Sequence, residues 1–200
     1  MFQNLFSFGR QSSPFEDFLR KHGKETEIEL VDGTPVEGIP QHIEAEKLRV
    51  WLQWLLAEYL QQTQIGVLVD ATIPIAINTR RARRASLAYI NNSCRDIIRN
   101  NAVYGAPDLV IDIVSPSALS TALNAREADY RALEVPEIVF LDPVRRSARV
   151  LRLRGREYEE ETLNEMGTLH LAMLDGIALP MSALMREPRP AVQEMVAKLL

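Results

Sequence analysis

The chain has 200 residues, 46% of them hydrophobic and 25% charged, with a formal net charge of −4. That length and apolar content support one domain with a real core and exclude wholesale disorder. The net acidity argues against a protein that coats nucleic acid without specificity, and leaves room for a local basic surface. The lone cysteine, Cys94, excludes an internal disulfide and a cysteine-based zinc cluster. No apolar run approaches the roughly 20 residues that a membrane-spanning helix needs. The opening MFQNLFSFGRQSSPF lacks the apolar core and cleavage pattern of a signal peptide, so the expectation is a soluble cytoplasmic protein.

Residues 1–24 read as a leader carrying a short amphipathic helix around Pro14–His22. Glu27–Val31 is a short strand running into Asp32-Gly33, a strong turn dipeptide. Between Ile43 and Gln62, apolar residues at Leu48, Trp51, Leu52, Leu55, Leu56 and Tyr59 mark one face of a helix. Ile65–Val69, Thr72–Ile77 and Leu87–Ile90 follow as strands that build a sheet. Asn91–Gly105 is polar and reads as a loop with a short helix. Leu109–Val114 is a continuous apolar strand of the kind buried on both faces. Ala118–Leu133 is helical, with Pro116 near its start, and Ile138–Leu141 is a second buried strand. Ser147–Arg154 alternates apolar residues with arginines except at Val150-Leu151, a doubled pair that reads as a bulge. Tyr158–Leu163 and Thr168–Leu171 are further hairpin strands. After Pro188 and Pro190, Ala191–Leu200 reads as a surface helix. The pattern predicts an α/β fold of the mixed α+β kind, a mixed β-sheet flanked by helices. The main domain spans residues 25–186 and a helical tail spans 187–200.

The chemistry concentrates in APDLVIDIVSPS and the helix after it. Asp108 and Asp112 are four apart, so on a strand both project to one side. A carboxylate among Leu109, Val110, Ile111, Ile113 and Val114 is costly to bury unless it is paired, protonated or bound to a cation. Two readings stand: a hard-cation site of the magnesium type, or Asp108 as a strand cap with Asp112 paired to an arginine such as Arg126. Arg126 and Tyr130 lie one turn apart on the helix, where a guanidinium can clamp a phosphate or neutralise Asp112. His42, at the entrance to the first long helix, is either a general base or a plain cap. His22 and His170 lack partners at ligand spacing, and Ser115 and Ser117 lack the glycine pattern of a serine nucleophile. The run Arg80, Arg81, Arg83, Arg84 is the densest basic cluster, a candidate for phosphate contact or a solvated loop. Arg145, Arg146, Arg149, Arg152, Arg154 and Arg156 form a second basic strip.

Taken together, EIELVDG, His42 before the long helix, APDLVIDIVSPS, READYRALEVPEIVFLDP and LDGIALPMSALM resemble the Uma-type family of putative restriction endonucleases, within the PD-(D/E)XK nuclease superfamily. The resemblance spans residues 25–186. It implies a restriction-endonuclease-like mixed sheet flanked by helices, cleavage of DNA phosphodiesters, and a Mg2+ site built on Asp112 and Asp108. It also implies catalytic roles for Asp108, Asp112, Arg126, Tyr130 and His42, and a homodimer as a possible assembly, while the clustered Arg80, Arg81, Arg83 and Arg84 stay the candidates for meeting nucleic acid. Four positions depart from the family pattern. Ser86 stands where a metal-binding aspartate is expected, Asp112 where a glutamate is usual, and Ala122 and Arg126 replace an aspartate and the catalytic lysine. Serine removes a charge from a hard-cation site, and arginine does not give up its proton as a general base must. The expectation is therefore an endonuclease degenerate at its active site, or a silent module of the same fold that binds DNA or a protein. Asp70, on a neighbouring strand, is the residue that could supply a missing ligand.

Overall fold

The computed structural model describes residues 12–40, 42–116 and 118–200. The leader expected before residue 12 and the candidate hydroxyl of Ser117 lie outside the described residues.

Helix α1 (Pro14–His22) starts at an N-cap, Ser13, whose side chain accepts from the Glu16 N–H while Glu16 reaches back to the Ser13 N–H. This reciprocal pair and Pro14 at the first helical position fix where the helix begins. Phe15 and Phe18 are buried beside Leu30 and Ala82, so the helix is pinned to the body. Strands β1 (Ile28–Val31) and β2 (Thr34–Glu37) form a hairpin about Asp32-Gly33. Both turn residues have positive φ, +52° and +85°, as the tight turn requires.

Helix α2 (Ile43–Thr63) buries Leu48, Leu52, Leu55, Leu56 and Tyr59, the expected face. Its chain then enters β3 (Gly66–Asp70), β4 (Ile75–Asn78), β5 (Arg81–Arg83) and β6 (Leu87–Asn91). These four strands do not share one sheet. β3 and β6 pair with each other, while β4 pairs with β5 and β5 with β1 in a second sheet. The polar stretch read as a loop folds into a 3-10 helix (Asn92–Ile97) and two short strands, β7 (Ile98–Arg99) and β8 (Ala102–Val103). The second sheet has the order β2-β1-β5-β4-β8-β7.

The central sheet is completed by β9 (Leu109–Ile113), β10 (Glu137–Asp142), β11 (Ser147–Arg154) and β12 (Glu157–Leu163), in the order β12-β11-β10-β9-β6-β3. Helix α3 (Ser120–Ala132) is the crossover between the parallel strands β9 and β10. Every residue of β9 is buried. Leu109, Ile111 and Ile113 pack with α2 on one face, and Val110 packs on the other beside Tyr130 of α3. The doubled pair in β11 is not a bulge, because its pairing with β10 and β12 runs without a register shift. Val150 and Leu151 point to opposite faces and both are buried, since each face of this strand is covered.

Strands β13 (Thr168–Leu171) and β14 (Ile177–Pro180) form a separate hairpin, followed by α4 (Met181–Met185) and α5 (Val192–Leu199). Met195 and Val196 of α5 are buried in the core shared with α2, and Trp51 donates from Nε1 to the Pro190 carbonyl at 2.8 Å. Among the described residues, no helix is long and apolar enough to cross a membrane.

Candidate active-site cleft

Sheet pairing brings three sequence-distant segments to one point. Ser86 precedes β6, Asp112 is the last residue but one of β9, and the β6–β9 register sets Leu87 opposite Ile111. Across that boundary the Ser86 N–H donates to Asp112 Oδ1 at 2.9 Å, and the Ile113 N–H donates to Ser86 Oγ at 3.0 Å. Ser86 therefore leaves no gap at this point; its backbone and hydroxyl stitch two strands together.

Helix α3 supplies the other partners of Asp112. Tyr130 donates its hydroxyl to Asp112 Oδ2 at 2.9 Å, and Arg126 Nη1 approaches the same oxygen at 3.3 Å. Arg126 also donates from Nη1 to the Arg84 carbonyl and from Nη2 to Glu29 Oε1, each at 2.8 Å. Glu29, on β1, takes further hydrogen bonds from the Arg84 N–H at 2.9 Å and from Arg83 Nη1 at 2.8 Å. Arg83 Nε reaches Asp129 on α3 at 2.6 Å, and Arg81 Nη1 reaches the other oxygen of Asp129 at 2.9 Å. Three buried carboxylates (Glu29, Asp112 and Asp129) thus meet three guanidinium groups (Arg81, Arg83 and Arg126) in one chain of charge-assisted bonds.

Burial shapes the titration of this cluster. Desolvation pulls the Arg126 pKa down, but Asp112, Tyr130 and Glu29 together outweigh it and hold the guanidinium above its ordinary value. For Tyr130, burial and then the neighbouring Asp112 carboxylate push the phenol well above its ordinary value. Arg126 Nε is the one buried side-chain polar atom among the described residues without a hydrogen-bond partner.

The expected site residues divide sharply. Asp112, Arg126 and Tyr130 converge. Asp108 does not join them, because it sits at the far end of β9, roughly 13 Å along the strand at about 3.3 Å per residue. There its Oδ2 accepts from the Asn91 N–H at 2.7 Å, so the two aspartates share a face without forming a ligand pair. His42 is the N-cap of α2, with its ring accepting from the Glu44 N–H at 3.3 Å, and it is not part of the cleft lining. The Arg80–Arg84 run is corrected most strongly. Arg83 and Arg84 are 7% and 4% exposed, and Arg84 is wrapped in the carbonyls of Ile28, Ala71, Thr72 and His22. Arg81 bonds Asp32 and Asp129, and Arg80 donates to the Asp32 carbonyl. A run that reads as a basic surface is for the most part an internal clamp. The second strip is likewise paired: Arg149 with Glu127 and Glu160, Arg152 with Glu137 and Glu161.

Glu29 and Asp129 are the functional-looking residues that sequence reasoning missed. Glu29 alternates with Ile28 and Leu30, which reads as a solvent-facing position, and only the second sheet and α3 bury it.

The cluster forms the floor of a cleft of about 580 Å³, walled by Glu27, Glu37, Glu46, Arg49, Asp70 and Leu123 among others. Asp70 does turn into this cleft. Its carboxylate is already held by the Thr72 N–H and hydroxyl and by Gln53 Nε2 at 3.0 Å. Desolvation works against its charge, but these bonds and Arg49 hold its pKa below the ordinary value. Magnesium is held by one or two carboxylates with waters around it, so it needs carboxylate oxygens free to face it. Both oxygens of Asp112 are taken by donors, one of them cationic, and Glu29 is fully engaged. Among the described residues no three acidic, histidine or cysteine side chains converge as a metal-binding group. The residues present do not fit a divalent metal.

Comparison with known proteins agrees with the architecture. The model of a family described as putative restriction endonuclease matches residues 15–182. The crystal structure of a putative nuclease belonging to DUF820 from Anabaena variabilis superposes with a TM-score of 0.71 at 15% identity, covering 86% of this chain and 97% of that one. At that identity the likeness is one of fold. No curated protein matches the sequence.

Proposed function

The chain belongs to the Uma-type putative restriction endonuclease family, and from that premise we propose that it is a catalytically silent member, a nuclease fold retained as a binding module. One observation carries the reading: the Arg126 guanidinium bridges Asp112 and Glu29 where the family's metal and lysine would work. A phosphodiesterase of this kind needs a cation that polarises phosphate and activates water. A guanidinium fixed between two carboxylates has its charge already neutralised, and it cannot serve as a general base.

The charge of the cleft bears on what the module binds. Its mouth carries Glu27, Glu37, Glu46 and Asp70 against Arg49 alone, and the arginines on its floor are committed to internal partners. A polyanion entering without a metal meets net repulsion there. The reading is therefore a partner that is protein rather than DNA, in a cytoplasmic setting in keeping with the single free Cys94.

Calorimetric titration of Mg2+ and Mn2+ into the wild type and Asp112→Ala tests this, together with nicking of supercoiled plasmid. Silence predicts no heat of binding and no nicking by the wild type. Binding that Asp112→Ala abolishes, accompanied by nicking, would return the protein to the working endonucleases.

A further inference from the structure

The cleft carries more negative charge than its own residues neutralise. Six carboxylates line it against three guanidinium groups, an excess of three negative charges. On the floor, Glu29 and Asp112 are met by arginines, and at the rim Glu46 is paired with Arg49. Glu27, Glu37 and Asp70 remain. Glu27 and Glu37 stand at the open end of the β1–β2 hairpin, where the Gly38 N–H donates to the Glu27 carbonyl at 2.6 Å. Both are exposed, and neither carboxylate has an ion-pair or hydrogen-bond partner among the described residues. Asp70 is hydrogen-bonded only by the uncharged donors of Thr72 and Gln53.

Two features select what answers that charge. The acids do not converge on one point among the described residues, so a single compact ion cannot meet them together. Cationic groups spaced along a chain can. The second feature is Arg126, which is 7% exposed, lines the cleft floor and keeps its Nε without a partner. A buried N–H left unmet is costly, so an occupant that brings an acceptor is favoured. A phosphate would bring one with charge of the wrong sign for the rim. A polyamine would bring the right charge and no acceptor. A peptide has both, in its backbone carbonyls and its basic side chains. Ile28, Ile113, Val114 and Leu123 in the cleft wall suit the aliphatic stems of lysine and arginine.

We propose that the cleft takes a lysine- or arginine-bearing peptide segment of a partner protein, its cationic side chains on Glu27, Glu37 and Asp70 and its backbone over Arg126. This rests on the protein-partner reading above and names the chemistry of that partner.

Fluorescence anisotropy of a labelled peptide of alternating lysine and alanine, titrated with the full chain in EDTA, reads the outcome. The wild type should bind in the micromolar range, more weakly as salt rises, and the counterpart peptide with glutamate for lysine should not bind. Glu27→Gln combined with Glu37→Gln should weaken binding about tenfold, the loss of two exposed charge contacts. Glu157→Gln combined with Glu159→Gln removes the same charge from β12, outside the cleft, and should leave binding unchanged. No binding by the wild type up to millimolar concentration would overturn the proposal. So would a cleft pair that weakens binding no more than the β12 pair does, or displacement by spermidine as readily as by unlabelled peptide. The readout needs neither metal nor nicking, so it stands apart from the test of silence: a chain that nicks plasmid and still binds the lysine peptide would refute silence alone.

Discussion

Arginine and lysine at position 126 would differ in more than shape. Lysine can lose its proton when desolvated and then act as a base; a guanidinium stays charged and makes planar, multidentate bonds. Here the planar group spans two carboxylates from two different sheets, at 2.8 Å from Glu29 and 3.3 Å from Asp112. Arg126→Met should therefore leave the buried Asp112 without its counter-charge and Glu29 with Arg83 alone. We expect a loss of about 3–5 kcal/mol in urea unfolding. A loss below 1 kcal/mol would mean that the pair is not closed in solution. Tyr130 makes a pH prediction. Its pKa is raised in the folded protein, first by burial and then by Asp112, so the native state keeps a proton that the unfolded chain releases near pH 10. The stabilisation is complete below that pH and is lost as pH rises above it, at about 1.4 kcal/mol per pH unit for one such group. Tyr158, pushed up to about 12 chiefly by burial, acts in the same direction. Tyr130→Phe should flatten the alkaline fall in unfolding free energy by about one proton's worth, measured between about pH 9 and 11. An unchanged slope would place Tyr130 in a solvated site.

Strands and helices set by a clear period were legible from the sequence; their partners were not. The buried run of β9, the crossover α3 and the return strand β10 follow from apolar continuity, helical spacing and a turn between them. The assignment of β4 and β5 to a different sheet from β3 and β6 rests on which edges meet in space, and nothing in the local alternation carries that information. The apparent bulge in β11 failed for a related reason: a strand covered on both faces can place neighbouring apolar residues on opposite sides without any irregularity. Gly66, at the start of β3, gives a test at this scale. A Cβ there would stand 2.4 Å from the Ile90 carbonyl oxygen and 2.5 Å from the Tyr89 ring. Gly66→Ala should shift the β3–β6 ladder and destabilise the protein by about 1–3 kcal/mol, seen as a lower urea midpoint. A neutral result would mean that β3 already stands farther from β6 than this packing allows.

The distribution of charge across the whole molecule separates appearance from role. A run of four arginines in five positions reads as a surface, because spacing reports where residues lie along the chain and not what closes over them. In the fold, α1 and the β1–β2 hairpin cover that run, and Glu29 and Asp129 neutralise it. Of the candidate site, the Asp112–Arg126–Tyr130 core was legible from the sequence. Glu29 and Asp129 were not, since each owes its burial to a segment distant in sequence. Arg83→Gln consequently belongs to stability and not to nucleic-acid binding. It should lower the melting temperature by several degrees, since about 1 kcal/mol moves a domain of this size by roughly 2–4 °C. A normal melting temperature with weakened, salt-dependent DNA retention would restore the arginines to the surface.

A cation held by ligands is lent by the surroundings and varies with them; a chelator removes it, and a competing ion replaces it. The guanidinium of Arg126 is supplied when the chain is synthesised and stays until it is degraded. The floor of this cleft should hold its shape in EDTA as in excess magnesium, with the same melting temperature in both. Recognition through this floor would then need no divalent ion to be present.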